Sequence, residues 1–160
     1  RELNVKIREF VLTKFYDESK KSFVRNLEDK RTDISIIGAV TPFELFTATE
    51  KKIQNTVERI NMTLRTYTGG YKRFEEDHYN GGKPWVIATL WMANYYIEIG
   101  ETKKAKECFE FVVKTSSMHG FLAEQINNET MTADWVIGLG WSHAMFVMVL
   151  KKMIENGIVK

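Results

Sequence analysis

Residues 84–99, PWVIATLWMANYYIEI, determine the fold class of this 160-residue chain. Proline suits the first position of a helix, and the apolar side chains after it cover almost the whole helix circumference. These side chains are Trp85, Ala88, Trp91, Met92, Tyr95, Tyr96 and Ile99. A helix that is apolar on nearly every side is buried on several sides, so the segment predicts the centre of a helical core.

Helical periodicity continues on both sides of this segment. Apolar stripes run through 3–15, 53–64 and 105–113, and a last helix is expected at about 141–156. Gly100 is expected to end the central helix and Thr102 to cap the next one. These patterns predict an all-α protein built from antiparallel helix pairs.

Two further helix starts and two non-helical segments are expected. Residues 41–44, TPFE, form a capping-box pattern, and Thr47 with Glu50 repeats it. Residues 34–40 are the one place with a possible strand pattern, and 116–132 read as a polar loop.

Composition restricts the kind of partner. The chain has 23 basic and 21 acidic residues without a basic cluster, which argues against nucleic acid and anionic membrane surfaces as partners. The longest nearly apolar run, 135–150, is too short to span a bilayer, and no signal peptide is visible. A single cysteine, Cys108, fits a reducing compartment, so a cytoplasmic location is expected.

The first residue is Arg within an amphipathic pattern, so we expect residues 1–160 to be part of a larger domain.

The connector 69–85, GGYKRFEEDHYNGGKPW, is rich in the groups that bind ligands. Arg73 lies beside three acids: it either joins a surface ion-pair cluster or donates to sugar hydroxyls while Asp77 fixes the loop. Flat aromatic faces that could cover the C–H side of a sugar ring come from Tyr71, Phe74, Tyr79 and Trp85. Trp85 would equally suit the core.

Glu124 is the candidate general base. Its apolar neighbours in 120–126, GFLAEQI, would partly desolvate the carboxylate, and Gln125 could orient it. The alternative is a solvated loop glutamate. The three histidines are too far apart for a metal motif and no phosphate-binding loop is present, so no metal or cofactor is expected.

Five segments, in order, resemble the glucoamylase and glucodextranase family of glycoside hydrolases, family 15. They are 33–38 with Pro42-Phe43, 71–79 with 81–85, 89–91 with Tyr95-Tyr96, 120–125, and 141–144. The chain departs from the family pattern at Ala123, where proline is usual, and in 133–140, which lacks the usual Ser-Ala before Trp141.

The resemblance implies that residues 1–160 form the C-terminal half of an (α/α)6 catalytic barrel. It implies exo-acting, inverting hydrolysis of terminal α-glucosidic bonds in oligo- or polysaccharides. Glu124 would be the base, and the general acid would lie upstream of Arg1. Substrate binding would involve Arg73, Asp77, Tyr79, Trp85 and Gln125. The isolated chain is then expected to be inactive, and to pair through an exposed apolar face with the missing N-terminal half or with itself.

Two alternatives remain open at this stage. A trehalase on the same barrel would carry the same Glu124-Gln125 pair. A tetratricopeptide-like protein-binding module would explain one set of small and apolar positions: Leu90, Ala93, Tyr96, Gly100, Ala105 and Phe109. That module requires a repeat of about 34 residues, and only one instance of the pattern occurs.

Overall fold

A computed structural model describes residues 2–160 and shows a mostly helical chain with two short β-hairpins. The α-helices are α1 (Glu2–Lys14), α2 (Lys51–Thr63), α3 (Val86–Glu98), α4 (Thr102–Lys114) and α5 (Gly140–Glu155). The strands are β1 (Tyr16–Asp17), β2 (Ser22–Phe23), β3 (Ala123–Ile126) and β4 (Ala133–Ile137). Short 3₁₀ helices lie at Ile34–Ala39 and Tyr79–Gly81.

Helix α3 is the centre of the core, as the sequence predicts. Ten of its thirteen residues are buried, and it packs against α4, α5 and the first 3₁₀ helix. Gly100, at φ 73°, forms the turn that joins α3 to α4 as an antiparallel pair. The predicted last helix is also confirmed, because α5 spans Gly140–Glu155.

Helix α2 begins later than one of its two predicted starts. The helix expected at 41–44 is wrong: Phe43 is exposed, and Glu44 has a left-handed φ of 49° that no α-helix accommodates. The second signal marks the true start, since Glu50 is the N-cap of α2 and accepts a hydrogen bond from Thr47 N (2.8 Å). At α4 the cap is Glu101, and Thr102 is the first helical residue.

Segment 34–40 is a 3₁₀ helix and its C-cap, not a strand. Asp33 caps it by accepting a hydrogen bond from Ser35 N (2.8 Å), and Val40 N bonds to Ile37 O (3.0 Å). Its apolar alternation reflects a short helix with Ile34 and Ile37 buried three residues apart.

The expected polar loop at 116–132 contains strand β3, which pairs antiparallel with β4. All four β3 residues are buried, so the strand has no alternation of polar and apolar positions that would reveal it. Glu124 therefore lies on a strand and not in a loop.

Apolar surface remains uncovered at both ends of the chain. Helix α1 has no buried residue, and its apolar side chains Leu3 and Phe10 are 69% and 50% exposed. On α5, Val147, Met148 and Ile154 are exposed as well. The resemblance to the glucoamylase family predicts that exposed apolar surfaces of this kind contact another polypeptide segment.

Within residues 2–160, no helix combines the length and the apolar character that crossing a bilayer requires.

Candidate active site

Short backbone pairings align the connector 69–85 with strand β3. Trp85 pairs with both Tyr71 and Gln125, and Trp85 N donates to Tyr71 O (2.8 Å). Ile126 N donates to Pro84 O (3.0 Å). The predicted site residues, which are distant in sequence, are therefore carried by adjacent backbone segments.

Arg73 is held in place by Asp77 and by an aromatic ring. Its Nε and Nη2 donate to the two carboxylate oxygens at 2.9 and 3.0 Å, and the Asp77 side chain is only 1% exposed. The guanidinium carbon lies 4.1 Å from the centre of the Trp85 ring, a cation–π arrangement. Two of the five N–H groups are used by Asp77, which leaves others for a ligand.

A cleft of about 280 Å³ opens beside Arg73 and Trp85. Its volume lies near the lower end for small-molecule sites, which fits one sugar-sized group. The lining residues are mostly aromatic and basic: Arg25, Asp33, Ser35, Arg73, Phe74, Trp85, Ile87, Trp91 and Trp141. Trp91 and Arg25 were not predicted as site residues, because a tryptophan on a buried helix and an arginine in a polar stretch carry no distinguishing sequence signal.

Glu124 is a buried acceptor without a partner. The residue is 8% exposed, and Oε2 has no hydrogen-bond partner within residues 2–160. Burial raises the pKa of Glu124, and the nearby positive charge of Arg73 acts in the opposite direction. A buried carboxylate oxygen that lacks a partner is costly for stability, and such groups concentrate at functional sites.

The start of α5 holds the strand that carries Glu124. Ser142, fully buried, donates to Ala123 O (2.9 Å), and Leu122 N donates to His143 Nε2 (3.2 Å). His143 thus serves as a structural hydrogen-bond acceptor. Together these contacts fix both residues that precede Glu124.

Glu124, Gln125, Asp77 and Tyr79 do not line the cleft, although the sequence predicts all four as site residues. Gln125 is fully buried, accepts from Asn80 Nδ2 (2.9 Å) and donates to Tyr79 O (3.3 Å). Gln125 and Asp77 satisfy their polar groups internally. Their burial therefore favours the supporting roles that the sequence suggests, in which Asp77 fixes the loop and Gln125 orients Glu124, over direct substrate contact.

Other groups in the connector serve structure. Tyr71, one of the predicted flat faces, is fully buried, and its hydroxyl donates to Asn61 Oδ1 (2.6 Å). Glu75 joins an ion-pair cluster with Arg59 and Lys20, as the structural alternative predicts for the acids of this stretch. Tyr79 is 44% exposed and lies 5.7 Å, ring to ring, from Trp85.

No protein-family model matches the chain. The chain is 33% identical over 150 residues to an uncharacterized glycosyl hydrolase of Methanocaldococcus jannaschii, a match that covers 84% of this chain and 24% of that protein. It is 29% identical over 112 residues to trehalase 2 of Sulfolobus acidocaldarius, covering 69% of this chain and 19% of that protein. The chain thus spans less than a quarter of the length of these curated relatives.

The fold is that of a solved glucoamylase. A bacterial glucoamylase complexed with acarbose superposes with a TM-score of 0.82 at 20% identity, over 95% of this chain and 28% of that one. The helical architecture, the five ordered segments around Glu124 and Arg73, and the similarity to glycosyl hydrolases agree with one another. The chain is therefore similar to glycosyl hydrolases in sequence and to glucoamylases in fold, one of them of glycoside hydrolase family 15, as the ordered segments predict.

Proposed function

We propose that this chain supplies the general base and one wall of the sugar site of an inverting, exo-acting α-glucosidase. The observation that carries the proposal is the buried Oε2 of Glu124, an acceptor with no partner within residues 2–160, whose pKa responds to Arg73 on the wall of the cleft. Terminal α-glucosidic bonds of oligo- or polysaccharides are the proposed substrates.

In this mechanism Glu124 takes a proton from water as the water oxygen attacks the anomeric carbon. A second carboxyl group, outside this chain, protonates the departing glycosidic oxygen. In inverting enzymes the two carboxyl groups stand roughly 6.5–9.5 Å apart to leave room for the water. The free N–H groups of Arg73 would bind sugar hydroxyls, and Trp85 and Trp141 would cover the apolar face of the ring.

The environment of Glu124 suits a base. Burial raises its pKa above the ordinary 4.5, which makes the carboxylate a stronger proton acceptor, while Arg73 favours its ionised form. Because the base must be ionised, activity is expected to fall as the pH drops through this raised pKa.

Replacing Glu124 by Gln in the full-length protein tests the proposal. The substitution keeps the size of the side chain and removes the base, so we expect kcat to fall by about a thousandfold or more with the fold retained. Glu129→Gln is the matched control, because Glu129 is an exposed glutamate in the same hairpin. Turnover by Glu124→Gln within tenfold of the parent (about 1.4 kcal/mol of barrier) would exclude this role. Residues 1–160 alone are expected to release no glucose from maltooligosaccharides.

A trehalase is the second candidate, favoured by the similarity to trehalase 2 of Sulfolobus acidocaldarius. Assays of the full-length protein on trehalose and on maltose, side by side, separate the two candidates. The protein-binding module has less support, because α4 is followed by the hairpin β3–β4 and α5 packs back on α3, with no second similar pair within residues 2–160.

A further inference from the structure

A β-bulge lies directly opposite Glu124. Ala123 pairs with Ile137 and Gln125 with Asp134, so the single residue Glu124 faces two residues of β4, Trp135 and Val136. Trp135 has a left-handed φ of 62°, at a bulge position where glycine is usual. An aromatic residue in this conformation is a genuine outlier, and such outliers concentrate at functional sites.

The Trp135 ring is anchored although it is 53% exposed. Its indole Nε1 donates to the Tyr79 hydroxyl (2.9 Å), and the two rings meet edge to face with centroids 6.1 Å apart. Tyr79 in turn lies beside Trp85 and accepts, at its carbonyl oxygen, a hydrogen bond from Gln125. The bulge is therefore connected through Tyr79 to Trp85 in the wall of the cleft and to Gln125, the neighbour of Glu124.

The backbone of the bulge is anchored as well. Trp135 N donates to Asp134 Oδ1 (2.7 Å), and the other oxygen of Asp134 forms an ion pair with Lys83 of the connector. Two independent attachments thus hold a strained residue at one place, which is the condition under which strain persists in a native structure.

We propose that Trp135 is a positioning residue for Glu124. Its left-handed backbone forms the bulge at which Glu124 faces two residues instead of one, and its indole hydrogen bond to Tyr79 holds that bulge in place across the hairpin from Glu124. Neither Trp135 nor Glu124 lines the cleft, and the two are linked by the hairpin register, so Trp135 would act on the reaction by positioning Glu124. The inference rests on the proposed function in so far as Glu124 is the base.

The elements that contact strand β3 carry several charged or titratable groups. The connector contributes Arg73, paired with Asp77, and Lys83, paired with Asp134 of β4. Helix α5 contributes His143, which accepts from Leu122 N. Burial and Arg73 are the influences on the Glu124 pKa, so opening the bulge to water is expected to lower that pKa toward 4.5.

The experiment compares Trp135→Gly and Trp135→Phe in the full-length protein. Glycine accepts the left-handed backbone but removes the ring, and phenylalanine keeps a ring but cannot donate to Tyr79. The matched control is Lys21→Gly, which relieves a similar left-handed φ of 51° in the exposed β1–β2 turn. The measurements are the carboxyl titration of Glu124 by NMR, assigned by its loss in Glu124→Gln, and the pH dependence of kcat and KM.

We expect Trp135→Gly to lower the Glu124 pKa, to reduce kcat by about tenfold and to change KM by less than about threefold. Trp135→Phe is expected to lie between it and the parent, and Lys21→Gly to match the parent. An unchanged titration and an unchanged kcat in Trp135→Gly would overturn the proposal; should that variant not fold, the same result in Trp135→Phe would do so. If Glu124→Gln retained activity, the proposed function would fail, yet the titration would still decide whether Trp135 controls the environment of Glu124.

Discussion

The carboxylate of Asp77 accepts two hydrogen bonds from the guanidinium of Arg73. The Asp77 side chain is only 1% exposed, whereas that of Arg73 is 32% exposed. Asp77 also accepts from Tyr79 N (3.1 Å), so one buried carboxylate orders both the arginine and the turn that follows it. The exposed edge of Arg73 then faces the cleft, with Trp85 beneath it.

Asp77→Asn is expected to destabilise the fold by about 2 kcal/mol. The cost is below that of breaking a fully buried ion pair, about 3–5 kcal/mol, because solvent still reaches Arg73. Urea denaturation of the full-length protein measures it. Glu76→Gln, an exposed neighbour, is the control and should stay within about 0.5 kcal/mol of the parent; equal stability of the two variants would contradict a structural role for the Asp77 charge.

Glu124→Gln is expected to stabilise the protein while it abolishes the proposed activity. The pKa of Glu124 is raised in the folded state, so the folded protein binds a proton at Glu124 more tightly than the unfolded chain does. Stability therefore falls as the pH rises from the unfolded value of 4.5 through the raised folded value. The stability difference between variant and parent should be smaller below pH 4.5 than at neutral pH. A difference that is independent of pH would show that Glu124 is not held in a desolvated site.

Gly82→Ala is expected to cost more than Gly81→Ala. Both glycines have left-handed φ values, 65° and 80°, so each substitution pays about 1–2 kcal/mol of backbone strain. Only at Gly82 would the added Cβ collide with the backbone oxygen of Asp77, whereas at Gly81 the nearest atom is Lys83 Cε at 3.6 Å. Thermal unfolding of the two variants measures the difference, which should add about 1–3 kcal/mol at Gly82. If both variants lost the same stability, the backbone conformation alone would account for the destabilisation.

Cys108 is expected to resist alkylation in the native protein. Burial raises the pKa of its thiol to about 12, which keeps the thiolate scarce, and the side chain is only 2% exposed. Iodoacetamide labelling followed by mass measurement should modify the denatured protein and leave the native one unmodified. Rapid native labelling would mean that α4 opens away from α3.

Sequence patterns predicted the helices well where one face or the whole surface of a helix is apolar. Helix α3 follows from continuous apolar periodicity, because a helix buried on several sides leaves that pattern in the sequence. Helix α5 was predicted from a similar apolar run, although Val147, Met148 and Ile154 on it are exposed. The predicted start at 41–44 failed since capping residues also suit turns, and Phe43 finds no core to enter there. Strand β3 is four residues long and entirely buried, which gives no period of two.

The chain's residue order alone establishes which groups are available: a glutamate among apolar neighbours, an arginine among acids, and tryptophans at helix starts. Which of them act together depends on long-range pairing. Trp85 joins Tyr71 to Gln125, and this brings the Glu124 strand beside Arg73 across some fifty positions of sequence. The left-handed Trp135 has no sequence signal either, because its conformation is imposed by the β3–β4 register and by Tyr79, and local propensity would disfavour it.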